Sequence, residues 1–159
     1  MPKKNYLLDM YQRFERWPLG RRAFAWVFCR KAPYFGSIRP QVESLAANRC
    51  VVRIRKRRRI HNHIGTVHVI AICNALEMAM GAAAEAGIPP HLRWIPKGMN
   101  VHYTAKANSD IRAIAEIDAA AWQPGDVPVR VYAERSDGTV VVEGRILLYV
   151  SEKPPRPGS

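Results

Sequence analysis

Between residues 60 and 84 the sequence carries one charged side chain, Glu77, inside the apolar run Val67 to Ala84, VHVIAICNALEMAMGAAA. A carboxylate in such surroundings is paired, protonated or functional, because an isolated buried charge is costly. The plain alternative is a Glu at a helix end or subunit boundary that reaches water or one of the 25 Lys and Arg side chains. In front of it stands Asn62-His63-Ile64-Gly65-Thr66-Val67-His68-Val69, where an Asn and a Gly precede a Thr suited to N-capping a helix. A helix start exposes unpaired backbone N–H groups and the positive end of its dipole. Such donors can hold a carbonyl oxygen as it becomes an oxyanion. One helix thus carries an electrophile-polarising site near Val69 and a candidate base at Glu77.

Spacing constrains how the two cooperate. Val69 and Glu77 are eight residues apart, which at 1.5 Å rise per residue is roughly 12 Å along a helix. One scissile carbonyl cannot touch both, so a shared substrate requires the donor from one subunit and the carboxylate from another, in an obligate dimer with two equivalent sites. His68 lies nine residues before Glu77, about 180° around the helix, so a His–Glu dyad within one chain is not supported. Cys73, one turn before Glu77, is expected to pack rather than attack. His61, His63 and His68 lack a flanking carboxylate or cysteine set for a metal, and no metal or redox cofactor is expected.

The elements that must position these residues follow from pattern. The length of 159 residues fits one domain, and 48% apolar content with Trp, Tyr and Phe all present excludes global disorder. From Asn5 to Lys31 apolar residues recur at helical spacing, interrupted by Pro18 and Gly20, which predicts two short helices. Ile38 to Ile60 reads as a two-strand hairpin connected at Ala46-Ala47-Asn48. Met99-Val101-Tyr103, Ile111 to Ile117, Val127 to Ala133 and Val140 to Val150 alternate in period two, with a tight turn at Ser136-Asp137-Gly138-Thr139; consecutive strands are expected to pair antiparallel. Val67 to Ala84 is apolar on almost every side and must be buried nearly all round. A membrane span is the other reading of it, but a central carboxylate alone would cost about 2.5 to 3.5 kcal/mol on insertion scales. The order strand pair, buried helix, four strands predicts an α+β chain in which a curved antiparallel sheet wraps a long central helix, the hotdog fold, with N-terminal helices. The boundaries expected are an N-terminal helical segment at 1–36, the hotdog domain at 37–151 and a disordered, proline-rich tail at 152–159.

These residues carry a family resemblance. Asn62-x-x-Gly65-x-x-His68, with Leu76-Glu77 following, resembles the Asn-x-x-Gly-x-x-His-Gly-Gly…Asp/Glu signature of phenylacetic-acid-pathway-type hotdog thioesterases. NHIGTVHVIAICNALEMAMG resembles more closely still the DUF4442 branch of that superfamily, and the likeness runs from about Arg30 to Val150. It implies hydrolysis of an acyl-CoA thioester. Glu77 would be general base on water, or a nucleophile through a mixed anhydride. Asn62 would orient water or the thioester, and the N–H at about Val69 would polarise the carbonyl, with Gly65 and His68 completing the motif. Val69-Ile70 stands where the family has Gly-Gly, which makes close substrate approach to that backbone less assured.

The net charge of +12 calls for an anionic partner. The run Arg53-Ile54-Arg55-Lys56-Arg57-Arg58-Arg59 admits three readings: a solvated strand end, a patch steering coenzyme A phosphates, or a nucleic-acid surface. Arg55, Arg57, Arg58 and Arg59 are accordingly substrate-binding candidates, and Met80 is one for the acyl group. The basic residues among the N-terminal helices read as a solvated face, with peripheral membrane contact as the alternative. Three scattered cysteines and an N-terminus unlike a secretory signal point to the reducing cytoplasm. The expected partners are an acyl-CoA substrate and further copies of the chain, as a homodimer or dimer of dimers. The competing functions are a non-catalytic acyl-CoA-binding or acyl-chain-binding hotdog protein and, less favoured, a basic nucleic-acid-binding module.

Overall fold

The computed structural model describes residues 5–155. The chain opens with α1 (Tyr6–Glu15), whose start is capped by Asn5: its side-chain oxygen accepts from the N–H groups of Leu7 and Leu8 at 3.0 and 3.2 Å. After the Trp17–Pro18 break comes α2 (Gly20–Lys31). Gly20 permits this turn, since a side chain there would collide with the Phe14 carbonyl. Phe24 holds the hairpin together, edge-on to Tyr11 at 5.1 Å and within 6.4 Å of both Phe14 and Phe28. The Tyr11 hydroxyl then donates to the Glu43 carbonyl, fastening the hairpin to the sheet.

The strands are β1 (Gln41–Ala46), β2 (Arg49–Ile54), β3 (Leu92–Tyr103), β4 (Ile111–Glu116), β5 (Gly125–Arg135) and β6 (Val140–Glu152). They form one antiparallel sheet in the order β1-β2-β4-β5-β6-β3, curved around α3 (Val69–Gly87) in the hotdog arrangement. The expectation that consecutive strands pair holds for β1–β2, β4–β5 and β5–β6 but not for β3, which leaves β4 and pairs with β6. β3, with 12 residues, pairs along almost the whole of the 13-residue β6, whereas six-residue β4 lies between β2 and β5. Glu152 still pairs with Leu92, and Lys153 bonds the carbonyls of Pro90 and His91, so chain at the start of the expected tail is tied to the sheet. Residues 156–159 of that tail, and 1–4 of the N-terminal segment, lie outside the described residues.

The core lies between the sheet's inner face and α3. Ile72, Leu76, Met78 and Met80 of the helix meet Val52, Ile54, Ile111, Ile146 and Leu148, all at most 2% exposed. α3 is long and apolar enough to cross a membrane, but 72% of that stretch is buried inside the fold, as the core helix of a wrapped sheet should be. Two places escape coverage. Ile70, Glu77 and Glu85 are exposed along α3. On β3 the register places Met99, Val101 and Tyr103 opposite Ile146, Gly144 and Val142, hence on the helix side of the sheet, yet Met99 and Tyr103 stand exposed there. β3 is also the edge strand, with no neighbour on its far side among the described residues.

Candidate active site

The approach to α3 is a tight loop that Asn62 organises almost alone. Its backbone N–H donates to the Thr66 carbonyl at 2.9 Å, and its carbonyl accepts from Gly65 at 3.1 Å. Its side-chain oxygen accepts from the N–H groups of Ile64 and Thr66, while Nδ2 donates to Thr66 Oγ1 at 2.8 Å. Gly65 takes φ of 77°, left-handed backbone open to glycine at low cost. Val67 donates to the Ala107 carbonyl and His68 to that of Ile60, so the helix start is pinned from two sides. Asn62 and Gly65 therefore build the loop that aims the helix, and the oxygen of Asn62 is occupied in doing so.

Thr66 was expected to be the N-cap; His68 is. The Thr66 hydroxyl is taken by Asn62, and the chain stays extended through the His61–Val67 bridge before turning. His68 Nδ1 accepts from Ile70 N–H at 3.1 Å, and the His68 carbonyl accepts from Ala71 and Ile72. That leaves Val69 as the N–H in the first turn with no partner among the described residues. It borders a groove of about 490 Å³, whose walls include Asn62, Thr66, Ile72 and Tyr103.

Glu77 opens onto a different groove, of about 550 Å³, between α3 and the N-terminal hairpin. Its carboxylate has no hydrogen bond or ion pair among the described residues. Most of the lining is apolar, with Leu7, Met10, Phe28 and Phe35 from the N-terminal segment and Met80 and Trp94 from α3 and β3, but Lys31, Glu85 and Lys153 also border the groove. Met80 is 1% exposed and belongs to the core as much as to the groove wall. Trp94 is fixed by its indole N–H, which donates to Glu85 at 2.8 Å, and the Asn5 side chain ties the start of α1 to the Glu85 carbonyl. Trp94 and Met80 line the groove as residues expected to set pocket depth, whereas the contributions of Leu7, Met10, Phe28 and Glu85 carry no such expectation. Glu85 lies eight residues after Glu77, which puts both on one face of a helix, and that spacing was the available signal. One chain thus holds Val69 and Glu77 on α3 but in separate grooves, roughly 12 Å apart along the axis.

The basic run departs from a strand. β2 ends at Ile54, and Arg58–Ile60 form one turn of 3-10 helix. Arg53 is engaged by Asp110 at 2.7 Å. Burial opposes the charge on Asp110, but bonds from Arg53 and the Lys56 N–H outweigh it and hold the carboxyl below its usual range. Arg57 donates to the Ser37 carbonyl; burial, with Arg39 and Arg59 close by, lowers its pKa from the ordinary value. Arg55, Arg58 and Arg59 are exposed, and none of the four candidate arginines lines either groove. Cys73 is half-buried and burial pushes its thiol up, which disfavours the thiolate a nucleophile requires. Among the described residues no three His, Cys, Asp or Glu side chains gather as metal ligands.

Comparison with known proteins adds kinship to this geometry. No curated protein matches the sequence. The solved structural-genomics protein APC5556 is 42% identical, with 93% of this chain and 99% of that one covered at a TM-score of 0.81. The Pseudomonas aeruginosa protein PA5026, named a probable thioesterase, is 21% identical over 79% of this chain and 91% of its own, with a TM-score of 0.70. The thioesterase HI1161 of Haemophilus influenzae shares the fold at 10% identity, covering 78% of this chain and 86% of that one, with a TM-score of 0.67. The family profile described as a domain of unknown function, DUF4442, matches residues 20–150. A hotdog sheet wrapped around α3, a pinned helix start and that match across most of the chain place the protein in the DUF4442 family.

Proposed function

We propose that the protein hydrolyses an acyl-CoA thioester at a site completed by two subunits. The observation that carries this reading is the separation of the two groups, neither with a partner among the described residues: a Glu77 carboxylate at the middle of α3 on a largely apolar groove, and a Val69 N–H at the start of the same helix. In the proposed site the acyl chain lies in the groove beside Glu77 and Met80. Glu77 takes a proton from water, the water oxygen attacks the thioester carbon, and the oxyanion is held by the Val69 N–H of the second subunit. Collapse expels the coenzyme A thiolate, which recovers the proton. Asn62, Gly65 and His68 hold that helix start in place. Arg55, Arg58 and Arg59, exposed just ahead of the loop, steer the coenzyme A phosphates, with Arg57 anchored among them.

The second subunit has a place to sit. The free edge of β3, the exposed Met99 and Tyr103 on its inner side, and Ile70 on α3 form an uncovered apolar strip, which pairing of two copies would bury. A dimer, or a dimer of such dimers, follows. Three unpaired thiols suit the reducing cytoplasm.

One observation favours a non-catalytic acyl-CoA binder: Ile70, half-exposed at the helix start where the phenylacetic-acid-pathway-type signature has glycine, narrows access to the Val69 N–H. The two readings separate in an assay of free thiol release across a panel of acyl-CoA esters. Hydrolysis requires Glu77→Gln to lower kcat by about 10² to 10⁴-fold, the usual contribution of a positioned base, without lowering the thermal midpoint. No release above the uncatalysed rate by the wild type would leave the binder, and release unchanged by Glu77→Gln would remove Glu77 from the chemistry.

A further inference from the structure

The α1–α2 hairpin carries a surface that the hydrolytic reading does not use. Trp17 and Leu19, at its tip, are 74% and 68% exposed. Along α2 the exposed Arg22, Trp26 and Arg30 follow at intervals of four residues, hence within about 80° of arc, and the Arg30 guanidinium rests over the Trp26 ring at 5.0 Å. Arg13 and Arg16 flank the tip from α1. Across residues 5–39 there are seven basic side chains and two acidic ones, and one of those two, Glu15, is held by Arg21 at 2.9 Å. Aromatic rings set among unneutralised arginines on a projecting turn match the headgroup region of an anionic bilayer. There the rings enter the acyl boundary and the guanidinium groups meet phosphates.

We propose that this hairpin docks the protein on an anionic lipid surface, with Trp17 and Leu19 inserted and Arg13, Arg16, Arg22 and Arg30 on lipid phosphates. Charge selects the lipid: each arginine near a negatively charged leaflet adds about fivefold in affinity. Position supports it too, since the other faces of α1 and α2 wall the Glu77 groove through Leu7, Met10 and Phe28. A chain drawn from the bilayer would enter between the same two helices. Only this last link rests on the thioesterase reading; docking itself does not.

The test is co-sedimentation of the full chain with vesicles of phosphatidylcholine containing about one-third phosphatidylglycerol, against phosphatidylcholine alone, at about 0.1 M salt. Binding to the anionic vesicles alone is expected. It should fall more than about tenfold in Trp17→Ala/Leu19→Ala, from the apolar area no longer inserted, and about fivefold per arginine in Arg16→Gln/Arg22→Gln. Arg130→Gln/Arg145→Gln, which removes equal charge from the sheet, should retain most of it. Circular dichroism checks that each variant is folded, and the arginine pair decides if the tip variant is not. Three results would overturn the proposal: no vesicle binding; loss in the sheet variant equal to that in the hairpin variants; or a smaller sedimenting mass for Trp17→Ala/Leu19→Ala without vesicles, which would assign the tip to a second copy.

Discussion

At the scale of single residues, the helix start is read most sharply through Val69. It is the first residue of α3, and His68 before it sits at φ −63°, ψ 133°. Proline is favoured at a first helical position, and extended backbone is what it asks of the residue ahead. Val69→Pro should therefore fold normally while deleting the first-turn N–H that has no partner among the described residues. Loss of an oxyanion donor costs about 10² to 10³ in kcat, and the prediction is a fall of that size with the melting temperature nearly unchanged, checked by thiol release and calorimetry. Glu77 and the helix start were visible in sequence, because a lone carboxylate in an apolar run and an Asn-Gly-Thr approach are local signals. The true cap was not. Thr66 and His68 are both able to cap, and what decides between them is that Asn62 consumes the threonine hydroxyl, a contact set by loop geometry rather than by spacing.

At the scale of elements, local chemistry and long-range pairing divide what sequence can tell. The turn at Ser136–Thr139 was legible because Asp137 and Gly138 make it nearly alone: Gly138 takes φ of 83°, and Asp137 accepts from the Thr139 N–H at 2.9 Å and from Arg135 at 2.8 Å. The Thr139 N–H, with Arg135 beside it, draws the Asp137 carboxyl down to about 2. A depressed carboxylate stabilises the fold above its unfolded pKa and loses that contribution as pH falls through the folded value. Asp137→Ala should thus lower the melting temperature at pH 7, with the difference from wild type closing between about pH 4 and pH 2; thermal melts across that range check it. The pairing of β3 with β6 was not legible. It joins segments some fifty residues apart, and a strand's own alternation does not encode its partner. For the same reason the apolar groove beside Glu77 was missed: Leu7 and Phe28 look like ordinary helix faces until the hairpin folds over α3.

At the scale of the whole molecule, α3 keeps Glu77, at its middle, apart from the Val69 N–H at its start, and the exposed inner side of β3 marks where the proposed second copy would close over them. Met99→Glu places a charge in that strip, and it should give monomers in sedimentation velocity together with a loss of thiol release of about 10²-fold or more, since a monomer lacks a complete site. The shared site itself is tested most directly by co-expressing Glu77→Gln and Val69→Pro chains under separate tags and assaying the isolated mixture. Each variant alone should be nearly inactive. A mixed dimer joins an intact Glu77 to an intact Val69 N–H in one of its two sites, so random pairing predicts recovery of about one quarter of wild-type activity. Activity of the mixture no higher than that of the parents would contradict a site built from two subunits.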